Sequence, residues 1–95
     1  MATLEAKLSG LPDRPGVYFL KDALGKVVYV GKAANLRKRV SSHFKGPAVD
    51  SRESRLRTAI KDFDFVVTNS ETEALVLECS WIKRARPEFN IRFAD

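Results

Sequence analysis

The sequence predicts an α+β domain: a small antiparallel or mixed sheet with helices on its faces. Two observations carry this. "GVYFLKDALGKVVYVG", Gly16 to Gly31, is a pair of apolar runs around a short polar turn. Around it stand segments with helical apolar spacing and capping residues at their starts. Taken in chain order, Leu4, Leu8 and Leu11 recur at i, i+4, i+7, which suits a short amphipathic helix ended by Pro12. "RPGVYFLKD" is the first strand, with Pro15 tolerable at its start. "DALG" has the Asp and Gly placement of a type I turn, and "KVVYVGK" is the second strand. Asn35 caps a helix over "LRKRVSSHF" with Leu36, Val40 and Phe44 as its buried stripe, ended by Gly46-Pro47. "DSRESRLRTAIKD" reads as another helix, with Asp50 and Glu53 at capping-box spacing. "FDFVVT" is a third strand. "SETEALVLECSWIKRA" is a long helix opened by Ser70 and Glu73 and stopped at Pro87. "FNIRF" reads as a short final strand with Phe89, Ile91 and Phe93 on one face.

Composition narrows the class. Ninety-five residues at 44% hydrophobic make one domain, residues 1–95, without repeats or a linker. No apolar run approaches the ~20 residues of a membrane span, and no signal-peptide core opens the chain. The single cysteine, Cys79, excludes an intrachain disulfide and a cysteine-based zinc site, which fits a cytoplasmic protein. The net charge of +5 is concentrated: Lys32 to Lys61 carries nine basic residues against Asp50 and Glu53, so that segment is +7 and the remainder −2. Such a field implies either a polyanion partner, most simply nucleic acid, or a solvated basic face.

Some positions exceed what packing asks for. At about 100° per residue, Glu78 lies between Ala74 and Ile82, about 40° to either side, in the middle of the apolar stripe of its helix. A carboxylate there must be protonated, paired with a cation, or bound to a metal. A salt bridge to Arg or Lys and a hard divalent cation both satisfy it. Arg39 and His43, one helical turn apart, flank the stripe of Val40 and can reach a groove beside the sheet. A hydrogen-bonded packing role for His43 and a solvated one for Arg39 remain open. If Lys21 pairs with Lys26, Tyr18 falls opposite Tyr29; a bulge at Gly25 makes them offset neighbours. The pair serves either as cross-strand packing or as two hydroxyls on one face. Gly31 permits close backbone approach, and Lys32, ending the strand, can point back over the sheet. "GKAANL" lacks the first glycine and spacing of a phosphate-binding P-loop.

Together these residues resemble the GIY-YIG nuclease superfamily, most closely the N-terminal domain of its excinuclease C branch. "GVY" and "YVG" match the two signature triplets, and "YVGKAANLRKRVSSHF" matches the segment after the second. "SETEALVLECSWIKRARPEFNIRF" matches the acidic helix and terminal Pro-x-x-Asn motif. The resemblance implies a three-stranded antiparallel sheet flanked by helices, and active-site roles for Tyr18, Tyr29, Lys32, Arg39, Glu78 and Asn90, with Glu78 holding one Mg²⁺ or Mn²⁺. His43 stands where the excinuclease C branch usually has tyrosine and the homing-endonuclease branch has histidine, and is expected in the active site, holding a phosphate or the base tyrosine. The implied reaction is DNA phosphodiester hydrolysis with Tyr18 or Tyr29 as base and with Arg39 clamping the phosphate. Tyr29 is favoured because it lies three residues from Lys32, the cation that would favour its phenolate. Lys32, Arg37, Lys38, Arg39, Arg52, Arg55 and Arg57 are the expected DNA contacts. The implied context is the 3′ incision of nucleotide excision repair beside the damage-loading subunit (UvrB), with this chain a monomeric N-terminal piece of a longer protein. A stand-alone structure-specific or homing-type nuclease and a non-catalytic nucleic-acid-binding module are the alternatives.

Overall fold

A strand that reads Gly-Val-Tyr-Phe-Leu can be buried on both faces only if it is central and covered on both sides. In the computed structural model, which describes residues 3–45, 48 and 50–93, the first strand is just that. The chain runs α1 (Leu4–Ser9), β1 (Gly16–Lys21), β2 (Val27–Ala33), α2 (Leu36–Phe44), α3 (Ser51–Ala59), β3 (Asp62–Val67), α4 (Glu71–Ala85) and α5 (Glu88–Phe93). The sheet is antiparallel in the order β2-β1-β3. Tyr18 and Leu20 point to one face, into a core with Leu11, Leu36, Val40, Leu56 and Phe63. Val17 and Phe19 point to the other, where Ala74 of α4 covers them together with Val30.

The helices start where their capping residues stand. Thr3, Asn35, Asp50 and Ser70 each accept a hydrogen bond from the backbone N–H three residues on. The helix ends follow the expected stops less closely. Helix α1 stops at the Gly10 cap, before Pro12, and Leu11, beyond the helix, is buried in the core with its N–H on the Leu8 carbonyl at 3.3 Å. The Gly46-Pro47 stop expected for α2 lies outside the described residues. Helix α4 closes on Arg86, whose φ of 44° is left-handed, and the buried Pro87 follows.

"FNIRF" is a helix and not a strand. Pro87 fixes a first helical turn, its carbonyl accepting from the N–H groups of Asn90 and Ile91 at 3.1 Å each. The outer edge of β2 is met by a side chain instead of a fourth strand. Asn90 Oδ1 accepts from the Val30 N–H at 2.7 Å, and its Nδ2 donates to the Val30 carbonyl at 2.8 Å. A primary amide thus supplies the donor and acceptor of a ladder partner, which satisfies the edge.

The hairpin register also differs from both expected ones. The turn closes with Asp22 N–H on the Lys26 carbonyl, Gly25 has φ 82°, and Asp22 Oδ1 accepts from Leu24 and Lys26. The register then shifts again between Leu20 and Lys21, leaving Val28 without a partner on β1. The two steps move Tyr18 opposite Gly31 and Tyr29 opposite Leu20. Both tyrosines therefore share one face, two positions out of line, with ring centroids 6.2 Å apart.

Gly31 is explained by what crosses it. A Cβ built there would fall on Cζ and Oη of Tyr18, whose ring occupies that space. Gly31→Ala should lower the unfolding free energy by about 1–3 kcal/mol, the usual cost of overpacking. Urea denaturation measures it, and a smaller loss would mean that the Tyr18 ring moves aside freely.

Candidate active site

Tyr18 crosses Gly31 to reach α2, where its hydroxyl and His43 Nε2 are 2.9 Å apart. Both groups are buried, at 1% and 4% exposure. His43 is thus a core residue of α2 and Phe44 is only half-buried, the reverse of the expected stripe. Burial, then the charges of Arg39 and Arg57, lower the His43 pKa to about 4, so the imidazole is neutral near pH 7. Its other nitrogen, Nδ1, is buried and has no partner among the described residues.

Tyr29 completes a triangle of rings, with His43 at 5.9 Å from it and at 5.3 Å from Tyr18. The two phenols differ in access. Tyr29 lines an open cleft of about 160 Å³ with Arg39, His43, Asp50, Arg52, Glu53 and Leu56, whereas Tyr18 lies beneath it. Burial pushes the Tyr18 phenol well above its ordinary value, Tyr29 adds to this, and the Arg39 guanidinium opposes it. Burial also raises Tyr29; Arg39 opposes, while the Glu78 and Glu53 carboxylates reinforce the rise. Only one of two such neighbours can readily carry negative charge.

The cation acting on both phenols is therefore Arg39, not Lys32. Lys32 pairs with Val17 across the strands, which places it on the face covered by α4, three residues and an odd number of side-chain alternations from Tyr29. It is exposed there. The expectation that Lys32 favours a Tyr29 phenolate is corrected accordingly.

Glu78 is half-buried on α4, with the buried Ala74 one turn before it and the half-buried Ile82 one turn after. The apolar stripe is narrower than its sequence, since Leu75 and Trp81 are 44% and 37% exposed. Among the described residues Glu78 makes no ion pair, so the salt-bridge explanation of this carboxylate is not the one realised. Its charge is nonetheless felt by both tyrosines. No group of three or more His, Cys, Asp or Glu side chains that could hold a metal occurs among the described residues. The donor set fits a hard divalent cation that takes one carboxylate and keeps several waters, and does not fit zinc.

The expected DNA contacts divide. Arg37 Nε donates to the Leu11 carbonyl at 2.8 Å and so ties α2 to the segment after α1. Arg57 donates to the carbonyls of Ser42 and Lys45, the latter at 2.8 Å, and pairs with Glu53 Oε1 at 3.6 Å. These two arginines hold the fold. Lys38, Arg39, Arg52 and Arg55 are exposed, and Arg39 and Arg52 face the cleft. Asp50 and Glu53 also line it, a role hidden behind their legible one as cap and capping partner. Leu56, one turn beyond Glu53 on the same face, was the available signal. Asn90 fixes Val30, the residue between Tyr29 and Gly31, and so holds β2 in line.

A pH dependence of stability follows from His43. Its folded pKa of about 4 lies below the ordinary 6.5, so the unfolded chain binds more protons between those values. The His43 contribution is complete above pH 6.5 and is lost as the pH falls towards about 4. Unfolding free energies across that window should fall more steeply for the wild type than for His43→Phe. Parallel curves would show that the imidazole is not held neutral.

The UvrC-like GIY-YIG domain model matches residues 14–91. UvrABC system protein C of Caldicellulosiruptor saccharolyticus is 48% identical over 95 residues, all of this chain and 16% of that protein. The protein of the same name from Moorella thermoacetica is 48% identical over 92 residues, 97% of this chain and 15% of that one. The chain thus spans about a sixth of the length of these curated relatives. A crystal structure of the GIY-YIG N-terminal endonuclease domain of UvrC from Thermotoga maritima, bound to magnesium as its catalytic divalent cation, superposes with a TM-score of 0.77. It is 30% identical and the match covers 90% of this chain and 93% of that one. With the triad of rings, the cleft and the acidic helix in place, the chain belongs to the UvrC-like GIY-YIG domain family.

Proposed function

We propose that this domain is a divalent-metal-dependent DNA endonuclease that makes the 3′ incision of nucleotide excision repair, acting in the cytoplasm with the damage-loading subunit UvrB. The observation that carries the chemistry is Glu78, a half-buried carboxylate with no ion-pair partner among the described residues, whose charge reaches Tyr29 in the cleft. The family and its magnesium-bound neighbour support the same reading.

Glu78 is the residue that would hold Mg²⁺ or Mn²⁺. When bound, such a cation would supply positive charge to the phosphate and to the leaving 3′ oxygen. Tyr29 is the proton acceptor for the attacking water because it is the phenol that lines the cleft. The water oxygen bonds to phosphorus, the P–O3′ bond breaks, and the products are a 5′ phosphate and a 3′ hydroxyl that takes its proton from solvent. An ordinary phenol pKa of ~10 is high for a base at neutral pH. Arg39 opposes the rise at Tyr29, and neutralising the Glu78 carboxylate removes one of the two negative charges that sustain it. Arg39 is also placed to stabilise charge developing on the phosphate.

Tyr18 and His43 position the site. Their mutual hydrogen bond fixes the floor of the cleft and leaves neither exposed enough to receive a proton from bulk-connected water. Asn90 acts through the backbone of β2. Arg52, Lys38 and Arg55 contact the DNA backbone from the α2–α3 side, and Lys32 from the α4 face.

Glu78→Gln keeps the shape of the side chain and removes its charge. Plasmid nicking in Mg²⁺ or Mn²⁺ should fall by a factor of about 10² or more, with DNA affinity nearly unchanged. Nicking at the wild-type rate would exclude Glu78 as the metal ligand.

A further inference from the structure

The most basic short stretch of the chain outside the Lys32–Lys61 segment is Lys83-Arg84-Ala85-Arg86, three cations in four residues at the end of α4. All three are exposed. Arg84 turns aside: its guanidinium lies 6.0 Å from the ring of Trp81, which is packed edge-on against Phe19 of β1. Lys83, in the last turn of α4, and Arg86, its cap, form no ion pair among the described residues.

Arg86 is also the only non-glycine residue with positive φ among those described. The position after a helix end ordinarily takes glycine, or asparagine, because in the left-handed region a Cβ crowds the following carbonyl oxygen. Lys83 and Arg84 already complement the negative end of the α4 dipole, so the cap does not need a third cation. A strained arginine where glycine would close the helix freely points to the side chain as the reason for its presence.

The segment after Arg86 is anchored to the site. Pro87 is buried, and Asn90 binds both backbone groups of Val30, next to Tyr29. Four residues of chain reach about 14 Å at most, and a DNA strand presents a phosphate about every 3.4 Å of helix axis. Arg86 is therefore tied by four residues to the outer edge of β2 at Val30, the residue after Tyr29. We propose that Lys83 and Arg86 form a second phosphate-contact point that grips the DNA backbone beyond the β2 edge, opposite the contacts made by Arg39 and Arg52. This rests on the nuclease reading and extends its DNA track across the site.

The test measures anisotropy of a labelled short duplex, without divalent cation, over a salt series from low ionic strength. Arg86→Gly should keep or raise the thermal unfolding midpoint while weakening binding several-fold. Lys83→Gln/Arg86→Gly should weaken it about tenfold and lower the slope of log affinity against log salt by about 2, one for each phosphate no longer neutralised. Lys26→Ala, an exposed cation at the hairpin turn, should leave the slope unchanged. Wild-type affinity and slope in the double variant would overturn the proposal, as would an equal shift in Lys26→Ala, which would reduce the effect to net charge. A wild-type domain that binds duplex and loses nothing in the double variant fails this proposal alone. A wild-type domain that neither binds nor nicks DNA fails the nuclease reading, and this proposal with it.

Discussion

The missing side chain at Gly31 is the constraint on which the site depends. Because nothing projects from Gly31, the Tyr18 ring lies across β2 and its hydroxyl reaches His43 of α2. That contact joins the central strand, the edge strand and the helix at one buried point. It also sets the rotation of α2, so that Arg39, one turn before His43, faces the cleft beside Tyr29. A buried hydroxyl and imidazole without each other would each cost about 1–3 kcal/mol, so the hydrogen bond enforces the arrangement as well as permitting it.

The electrostatics of the cleft rest on the resulting division between two phenols. Tyr18 is sealed and neutral; Tyr29 is accessible and lies between one guanidinium and two carboxylates. Arg39 favours negative charge on either ring, and Tyr29 disfavours it on Tyr18. Locking the proton on Tyr18 beneath the surface leaves Tyr29 as the one place where Arg39 can act on a group that meets solvent. The Glu78 carboxylate acts on Tyr29 through charge alone, with no contact between them required.

Much of this was legible in the sequence, for local reasons. Asn35, Asp50 and Ser70 marked helix starts because capping is settled within four residues. Glu78 stood out because a carboxylate between Ala74 and Ile82 violates the helical pattern that its own neighbours define. The failures are non-local. The hairpin register depended on two irregularities, at the turn and at Val28, and no spacing rule reveals a bulge. Phe89, Ile91 and Phe93 alternate like a strand, yet Phe89 and Phe93 are also spaced like a helix; the Asn90 bridge to Val30 decided between them. Arg37 and Arg57 read as DNA contacts in the sequence because the carbonyls that hold them lie 26 and 12–15 residues away in the chain. Lys32 was placed by proximity in sequence to Tyr29, where strand alternation sends it to the opposite face.

In the proposed mechanism access, more than identity, makes Tyr29 the base and Tyr18 its support. Single-turnover cleavage of a duplex at saturating enzyme, across a pH series, compares Tyr29→Phe with Tyr18→Phe. Tyr29→Phe should lose about 10²–10⁴-fold, the range of a removed general base, together with the rise of rate with pH. Tyr18→Phe should keep that rise and lose mainly stability. A Tyr18→Phe variant that is inactive while Tyr29→Phe cuts at the wild-type rate with the wild-type pH profile would contradict this mechanism.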